Sequence, residues 1–350
     1  MNHTGRGKLS GTPLKNVRRK AIDVSPETLV RTSYQTAEAR LPLVMEPGVD
    51  GIDLCAWAER NLEPLNASLL EHGGILFRGF SLKTVDGFEQ FIQLVSSGAL
   101  EYRERSSPRS QVRGKIYTST DYPADQSIFL HNENSYQSAW PLKIFFFCQT
   151  APARGGETPL ADCRKVLALI DPKIVDRFRE KKVMYVRNFG AGVGLSWQTT
   201  FQTDDKDELE TYCRRAGIEV EWKGANRLRT RQVREAVAIH PLTDEAVWFN
   251  HAAFFHVSTL DLAIGEAIKA QFDQEDLPHN TYYGDGSPIE PETMDAIREA
   301  YLRADVRFSW RNGDLLMLDN MLVAHGRAPF QGPREILVGM ADLYGNRPEE

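Results

Sequence analysis

The chain lacks any long hydrophobic run. Among its 350 residues no stretch approaches the roughly 18 consecutive apolar residues that a membrane-spanning helix needs. Residues 1–20 contain no apolar segment of the kind that is typical of a secretory signal. We therefore expect a cytoplasmic protein with no membrane partner.

Cysteine is scarce as well. The four cysteines are widely spaced and form no CxxC pair, which gives no sign of a disulfide framework and argues against a zinc site built on thiolates. Any metal ion that the chain binds should therefore be held by histidine and carboxylate side chains.

Positive charge is not in excess. Lysine and arginine together number 42, and aspartate and glutamate number 48, so the formal net charge is −6 and nothing indicates a nucleic-acid partner. Residues 1–20 are an exception, with six basic residues and no acidic one. We predict a flexible basic tail over residues 1–25, which could contact an acidic partner.

The rest of the chain, residues 26–350, is predicted to form one domain that is mainly β with helical insertions. The almost continuously apolar run 142–148 is typical of a strand buried on both faces. Further strand patterns lie at 128–131, 307–310, 314–318 and 335–340. Helical spacing of apolar residues is more common between these groups, which predicts a largely helical insertion around residues 160–300.

His131 and Glu133 form the first candidate for chemistry. Alternate residues of a strand point to the same face, so an imidazole and a carboxylate two residues apart can reach one metal ion. A His-x-Glu sequence also occurs by chance in structural or surface positions. This pair alone leaves both interpretations open.

His325 and Arg334 favour the metal interpretation. With His131 and Glu133, His325 completes two histidines and one carboxylate, the facial triad that leaves coordination positions open on iron(II). Arg334 begins the apolar run 334–340, where a guanidinium is costly to bury without an anion, and its planar fork suits a carboxylate. Taken singly, His325 could be a buried core histidine and Arg334 could form an internal salt bridge.

Several motifs, in the same order along the chain, resemble those of the taurine dioxygenase and clavaminate synthase family of iron(II)/2-oxoglutarate oxygenases. They are His131-x-Glu133, the Gly-Gly-Glu-Thr turn ending at Thr158, the Trp-x-x-Gly-Asp-Leu-Leu segment from Trp310, and His325-Gly-Arg with Arg334 beyond it. The similarity extends from about residue 74 to residue 343.

The resemblance implies a double-stranded β-helix, or jelly-roll, core flanked by helices. It implies iron(II) bound by His131, Glu133 and His325, and 2-oxoglutarate held by Arg334 with help from the Thr158 hydroxyl. With O2 as the second cosubstrate, the implied activity is that of a dioxygenase, most often a hydroxylase.

Details of the motifs resemble one branch of the family. Glu133, where most members have aspartate, is similar to the clavaminate synthase and amino-acid β-hydroxylase branch, and the segments around His131 and His325 look like those of syringomycin-type hydroxylases. This implies an amino-acid substrate, free or tethered to an acyl or peptidyl carrier protein, in nonribosomal peptide or antibiotic biosynthesis. Val338 takes the place of the arginine that reads the sulfonate in taurine dioxygenase, which argues against a sulfonate substrate.

The candidate substrate contacts are Asn134 and Ser135 beside the metal ligands, and Trp248 and Asn250 where an aromatic strand is expected to end near the mouth of the site. Core packing is an equally good interpretation of Trp248 and Asn250. Epoxidation, desaturation and cyclisation stay open beside hydroxylation. Two rival classes are a zinc hydrolase, whose usual His-Glu-x-x-His helix is missing and in which Arg334 has no role, and a noncatalytic jelly-roll binding module.

Overall fold

The computed structural model describes Met1 and residues 29–34, 40–100, 104, 110–119, 122–190, 192 and 194–345. Apart from Met1, the predicted basic tail lies outside these residues. The described chain consists of several sheets flanked by helices.

Strands outnumber helices in the first part of the chain. In order, the elements are β1 (Val30–Ser33), β2 (Leu43–Pro47), α1 (Leu54–Glu59), α2 (Leu62–His72), β3 (Gly74–Phe77), α3 (Val85–Val95), β4 (Gln111–Arg113), β5 (Ile116–Thr118), β6 (Ile128–His131), β7 (Ala139–Thr150), β8 (Arg154–Gly155) and β9 (Leu160–Asp162).

Helices and strands alternate in the middle of the chain, and strands close it. These elements are α4 (Cys163–Leu169), α5 (Pro172–Lys181), β10 (Val183–Phe189), α6 (Trp197–Phe201), α7 (Lys206–Arg215), β11 (Glu219–Trp222), β12 (Leu228–Arg234), β13 (Val237–Ile239), β14 (Ala246–Trp248), α8 (Ala252–Phe255), α9 (Leu262–Gln271), β15 (His279–Tyr283), α10 (Pro291–Ala304), β16 (Asp305–Val306), β17 (Leu315–Asp319), β18 (Val323–Arg327), β19 (Phe330–Gln331) and β20 (Glu335–Gly345). Two 3-10 turns cover Val257–Thr259 and Gln274–Asp276.

An eight-stranded sheet forms the larger face of the core, in the order β1-β2-β3-β17-β7-β20-β5-β4. Side chains alternate between its two faces along β7. Phe145 and Phe147 pack on the side of helix α3, where Phe88 stacks 5.4 Å from Phe147, whereas Ile144 and Phe146 belong to the cluster on the other side. The prediction of a strand buried on both faces is confirmed.

A four-stranded sheet, in the order β16-β9-β18-β6, completes the jelly-roll core. Leu130 of β6, Leu160 of β9 and Ala324 of β18 are buried in the same apolar cluster as Phe146 of the larger sheet. The predicted fold class, mainly β with helical insertions around a jelly roll, is confirmed. This smaller sheet carries the histidines on which the site depends.

Residues 307–310 are not a strand, contrary to the prediction from their pattern. The strand β16 ends at Val306. Beyond it, the Ser309 carbonyl accepts a hydrogen bond from the guanidinium of Arg78, and the Trp310 indole donates to the hydroxyl of Thr158. Long-range side-chain contacts therefore organise a segment that the local pattern assigns to a sheet.

The segment around residues 160–300 contains helices, but it also contains an antiparallel sheet in the order β11-β12-β10-β15 and the hairpin β13–β14. The prediction of a largely helical insertion missed the four-stranded sheet. Arg187 and Asn188 on β10, and Arg229 and Thr230 on β12, are buried polar residues. Because these polar residues occupy buried positions, the two strands lack the alternation of apolar and polar residues that predicts a half-buried strand.

Two histidines of this segment predict a loss of stability in mild acid. Burial lowers the pKa of His256 and of His279 from 6.5 to about 4. Between these values the unfolded chain binds protons that the folded chain excludes, so the free energy of unfolding should fall as the pH drops from 7 to about 5. Urea unfolding at both pH values measures this fall, which should be smaller in the His256→Gln variant. An unchanged or higher stability near pH 5 would contradict the prediction.

Candidate active site

Strands β6 and β18 bring three candidate metal ligands together. The strands pair antiparallel, and their register sets His131 directly opposite His325. Glu133 lies two residues beyond the end of β6. One ligand atom from each of the three side chains lies within 4.8 Å of the other two, and no second cluster of this kind occurs among the residues that the structure describes. The three predicted ligands therefore converge on one point.

Glu133 reaches this point from a turn rather than from a strand. Strand alternation does not position it, because β6 ends at His131. Asn320, 187 residues further along the chain, accepts a hydrogen bond from the Glu133 amide at 2.8 Å and donates to the Glu133 carbonyl at 2.8 Å and to the Pro141 carbonyl at 2.9 Å. The turn after β17 therefore fixes the backbone that carries the carboxylate.

The His131 imidazole is held in a defined orientation. Its Nδ1 lies 2.9 Å from the carbonyl oxygen of Phe129, so Nδ1 is the protonated nitrogen and Nε2 is the candidate metal-binding atom. The ring stacks on Phe254, with 4.4 Å between centroids, and lies 4.6 Å from the ring of His325. Phe146 packs edge-on to His325 at 5.0 Å. Aromatic side chains thus fix both rings.

Gly326 allows the two histidine strands to approach each other. The register between β6 and β18 shifts between His325 and Arg327, which marks a bulge. A Cβ atom at position 326 would lie 2.6 Å from the carbonyl oxygen of Ile128, a distance that real Cβ contacts do not show. The glycine of the His-Gly-Arg motif is therefore required by packing directly beside a candidate ligand.

Replacing Asn320 with alanine should weaken both the fold and the metal site. The substitution removes three buried hydrogen bonds and leaves the Glu133 amide and two carbonyls without this partner, so we expect the free energy of unfolding to fall by about 2–4 kcal/mol. Metal affinity should fall by about 10- to 100-fold, as for other residues that orient metal ligands.

Urea unfolding and an iron(II) titration measure these two effects. The matched control is Asn312→Ala, which removes one hydrogen bond at an exposed position, from the Ala151 amide to Asn312 Oδ1. The prediction is wrong if Asn320→Ala behaves like this control in both measurements.

Arg334 lies in a pocket next to the histidines. The pocket is also lined by Ser119, Thr158, His131 and His325. The guanidinium donates from Nε to the Gly156 carbonyl at 3.2 Å and from Nη1 to the Ser119 hydroxyl at 3.3 Å. Burial, together with the positive charge of Arg327, lowers the pKa of Arg334 to about 10.

No carboxylate in the described residues forms an ion pair with Arg334. The internal salt bridge that was left open as an alternative is therefore absent from this part of the chain. A partly buried guanidinium with neutral partners favours an anion as its ligand. Thr158 is suitably placed beside it, because its buried Oγ1 accepts a hydrogen bond from the Trp310 indole at 3.1 Å and keeps its own proton to donate.

A larger cavity of about 550 Å³ opens on two of the candidate ligands. His131 and Glu133 form part of its wall, together with Phe254, Arg187 and His279. The sequence patterns described above do not single out the last three. Arg187 had a recognisable signal, because it is a lone cation in the apolar strand β10, which is the same pattern that identified Arg334.

The predicted substrate contacts Asn134 and Ser135 do not line this cavity. Asn134 has a positive φ of 58° and shapes the turn, its carbonyl accepting from the Gln137 amide. The hydroxyl of Ser135 lies 2.6 Å from Nδ1 of His251, within the buried interior. Both residues therefore support the turn that carries Glu133.

The other two predicted substrate contacts, Trp248 and Asn250, do not line this cavity either. Trp248 is fully buried and packs edge-on to Phe178 at 5.3 Å. Asn250 donates to the Ala236 carbonyl and accepts from the Ala252 amide at the start of helix α8. The aromatic end of β14 belongs to the core, which is the alternative that its apolar pattern left open.

This fold and this donor set define a class of enzyme. Two imidazoles and one carboxylate beside a cavity suit iron(II), and the partly buried Arg334 with Thr158 suits a carboxylate of 2-oxoglutarate. The protein is an iron(II)/2-oxoglutarate-dependent dioxygenase that uses O2 as cosubstrate. The profile of the family described as taurine catabolism dioxygenase TauD, TfdA family matches residues 35–341. The chain belongs to this family.

Two relatives in sequence cover most of the chain. The dapdiamide synthesis protein DdaC from Enterobacter agglomerans is 43% identical over 287 residues, which are 82% of this chain and 87% of that protein. A clavaminate synthase-like protein from Arabidopsis thaliana is 29% identical over 287 residues, 79% of this chain and 83% of its own. The predicted resemblance to the taurine dioxygenase and clavaminate synthase family is confirmed.

A solved structure shares the fold. The chain is similar to PvcB from Pseudomonas aeruginosa, with a TM-score of 0.55, 15% identity, and 96% and 95% of the two chains covered. Neither the zinc hydrolase nor the noncatalytic module is supported by these comparisons. Among the helices that the structure describes, none has both the length and the apolar character needed to traverse a bilayer.

Proposed function

We propose that the enzyme hydroxylates an amino acid or an aminoacyl group in the biosynthesis of a natural product. The observation that carries the proposal is the place of His131, which lines both the pocket of Arg334 and the cavity of about 550 Å³. One side chain at the junction of a 2-oxoglutarate pocket and a substrate-sized cavity brings cosubstrate and substrate to the same metal ion.

In this proposal His131, Glu133 and His325 hold the iron(II). Bound there with 2-oxoglutarate and O2, the metal supplies the oxidising chemistry, in which 2-oxoglutarate loses carbon dioxide to give succinate and one oxygen atom enters a substrate C–H bond. Arg334 binds the distal carboxylate of 2-oxoglutarate with its planar fork, and the Thr158 hydroxyl donates to the same group.

The protein also orients the imidazoles and shields them from water. The Phe129 carbonyl keeps the proton of His131 on Nδ1, so Nε2 is the nitrogen that would coordinate the metal. Phe254 and Phe146 cover faces and edges of the two imidazoles. This packing restricts the motion of both rings, so they would keep their positions beside a bound metal.

The substrate class is supported by the relatives and by the cavity. DdaC is described as a dapdiamide synthesis protein, and PvcB as an iron- and 2-ketoglutarate-dependent oxygenase from an isonitrile synthetic pathway. The cavity contains both an arginine and aspartates in its wall, as a substrate with charges of both signs requires. We extend the proposal to a carrier-bound aminoacyl group, for which the basic residues 1–20 offer contacts to an acidic carrier protein.

Product analysis tests this proposal. The iron-loaded enzyme is supplied with 2-oxoglutarate, air and each common L-amino acid, free or loaded on a carrier protein, and succinate and oxidised product are measured together. The proposal predicts one succinate for each product that gains one oxygen atom, and NMR distinguishes a hydroxyl from an epoxide. A product that has lost two hydrogens or closed a ring would show that the enzyme catalyses desaturation or cyclisation instead of hydroxylation. Deletion of residues 1–20 without any effect on the carrier-bound substrate would remove the docking role of the tail.

A further inference from the structure

One wall of the cavity of about 550 Å³ has no regular secondary structure. Residues 122–127, which we call the wall segment, follow β5 and precede β6 in the chain and belong to no helix or strand. Four of them line the cavity, namely Tyr122, Asp125, Gln126 and Ser127. Segments without helix or sheet hydrogen bonds open most easily. The wall segment therefore keeps a fixed position only if other parts of the chain hold it.

Arg327 supplies most of the contacts that hold it. This arginine ends strand β18, two residues after His325, and only 5% of it is exposed. Its guanidinium donates three hydrogen bonds to backbone carbonyls of the wall segment, from Nη1 to Tyr122 at 3.0 Å, and from Nη2 to Pro123 at 2.5 Å and to Gln126 at 2.9 Å. One side chain thus binds carbonyls from both ends of the segment.

Phe330 adds to the same contact. Its amide donates to the Ala124 carbonyl at 2.8 Å, and the centroid of its ring lies 5.3 Å from the guanidinium carbon of Arg327. The ring of Tyr122 lies 5.8 Å from the same carbon. Aromatic rings beside a guanidinium attract its charge and restrict its motion. The wall segment is therefore bound to residues that directly follow the metal-site histidine of β18.

A purely structural role in the core is the alternative explanation of Arg327. A buried arginine of that kind usually has a carboxylate partner. Arg229, which is equally buried, pairs with Asp276 at 2.9 Å. Within the described part of the chain Arg327 forms no such ion pair, and its hydrogen bonds all go to the wall segment. The cost of burying its charge is therefore offset mainly by this segment.

We propose that Arg327 is a positioning residue for substrate binding, which holds the wall segment at a fixed distance from the metal site. The inference rests on the proposed function, because it takes the cavity of about 550 Å³ as the substrate site. The wall segment then determines which substrates fit, and Arg327 attaches this wall to the strand of His325. Arg327 itself does not line the cavity, so it acts through the wall segment.

Hydrogen exchange resolved to single amides tests the hold on the wall segment without using activity. Two amides report on it. The Gln126 amide donates to the Pro123 carbonyl, and the Phe330 amide donates to the Ala124 carbonyl. We expect Arg327→Gln to speed up the exchange of both amides by about 10-fold or more, because local opening of the segment becomes easier. The near-ultraviolet circular dichroism of the variant should stay that of the folded protein.

Steady-state kinetics tests the role in substrate binding. The substrate is the amino acid that the product analysis identifies, and 2-oxoglutarate is kept saturating because Arg327 also lines the pocket of Arg334. A displaced wall weakens substrate binding before and during the reaction alike. Arg327→Gln should therefore raise the KM for the amino acid by about 10- to 100-fold and change kcat by less than about threefold.

Arg327→Lys separates geometry from charge. Lysine keeps the positive charge but lacks the fork that reaches three carbonyls at once. Its KM and its amide exchange rates should lie between those of the wild-type protein and of Arg327→Gln. This variant carries the same comparison with the wild-type protein if Arg327→Gln does not fold.

Arg234→Gln is the matched control. Arg234 is a partly buried arginine whose Nη2 donates to the backbone carbonyl of Ala216 at 2.7 Å. It lines neither the cavity nor the pocket of Arg334. The control variant should keep the wild-type KM and the wild-type exchange rates of the Gln126 and Phe330 amides.

Three results would overturn the role of Arg327. They are unchanged amide exchange in Arg327→Gln, faster exchange with an unchanged KM, and wild-type values in Arg327→Lys, which would show that a positive charge alone is enough. If the wild-type protein oxidised no amino acid, the proposed function would fail and the substrate role of Arg327 with it. The exchange measurement would then still decide whether Arg327 holds the wall segment.

Discussion

Replacing Glu133 with alanine is expected to reduce substrate-dependent succinate release to less than about one hundredth of the wild-type rate. Loss of a residue that merely orients a ligand costs about 10- to 100-fold in other metal sites, and loss of a ligand itself costs more. Glu133 supplies the only carboxylate of the cluster, where it offsets part of the charge of a divalent metal ion between two neutral imidazoles.

The measurement is succinate release together with bound iron after gel filtration. Glu157→Ala is the matched control, since Glu157 is a half-buried carboxylate in the nearby Gly-Gly-Glu-Thr turn and does not belong to the cluster. Both variants should keep the near-ultraviolet circular dichroism of the folded protein. If Glu133→Ala retained bound iron and a rate near that of the control, Glu133 would not be a ligand.

The second large effect is expected at Arg334. Arg334→Met should raise the KM for 2-oxoglutarate by about 30- to 1000-fold, which corresponds to about 2–4 kcal/mol for truncating one partner of a buried charge pair. The reason is that methionine lacks the guanidinium, which hydrogen bonds to Ser119 and Gly156 hold in this pocket. Arg334→Lys keeps the charge but not the planar fork, so its KM for 2-oxoglutarate should lie between those of the wild-type protein and Arg334→Met.

Steady-state kinetics with varied 2-oxoglutarate measures this effect. Arg154→Met is the control, because Arg154 is an exposed arginine on strand β8, which directly precedes Gly156 in the sequence. An unchanged KM in Arg334→Met would show that 2-oxoglutarate binds elsewhere. A fall in kcat alone, with no change in KM, would assign Arg334 to the oxidation step instead of cosubstrate binding.

The site could be predicted largely because each of its main residues breaks a local pattern. His325 and Arg334 are polar residues beside long apolar runs, and His131 and Glu133 are close enough in sequence to act together. The reason for the position of Glu133 could not be predicted. Its backbone depends on Asn320, a contact over 187 residues that no local pattern reveals.

The fold shows the same division between local and long-range information. The helix over 85–95 has a clear apolar stripe, and the structure gives α3 the bounds Val85–Val95. The sheet of the insertion was missed because Arg187 and Arg229 occupy buried strand positions. For Trp248 the sequence leaves a substrate contact and core packing equally open, because an aromatic residue at a strand end fits either, and the tertiary contact with Phe178 places it in the core.

The most direct measurement is an anaerobic titration of the metal-free protein with iron(II) and 2-oxoglutarate, followed by visible absorption. The account predicts a weak charge-transfer band that needs both components, saturates at one equivalent of each, and is lost in His325→Ala and in Arg334→Met. Absence of the band with both components present, or a band that survives in His325→Ala, would contradict the assignment of iron and 2-oxoglutarate to this site.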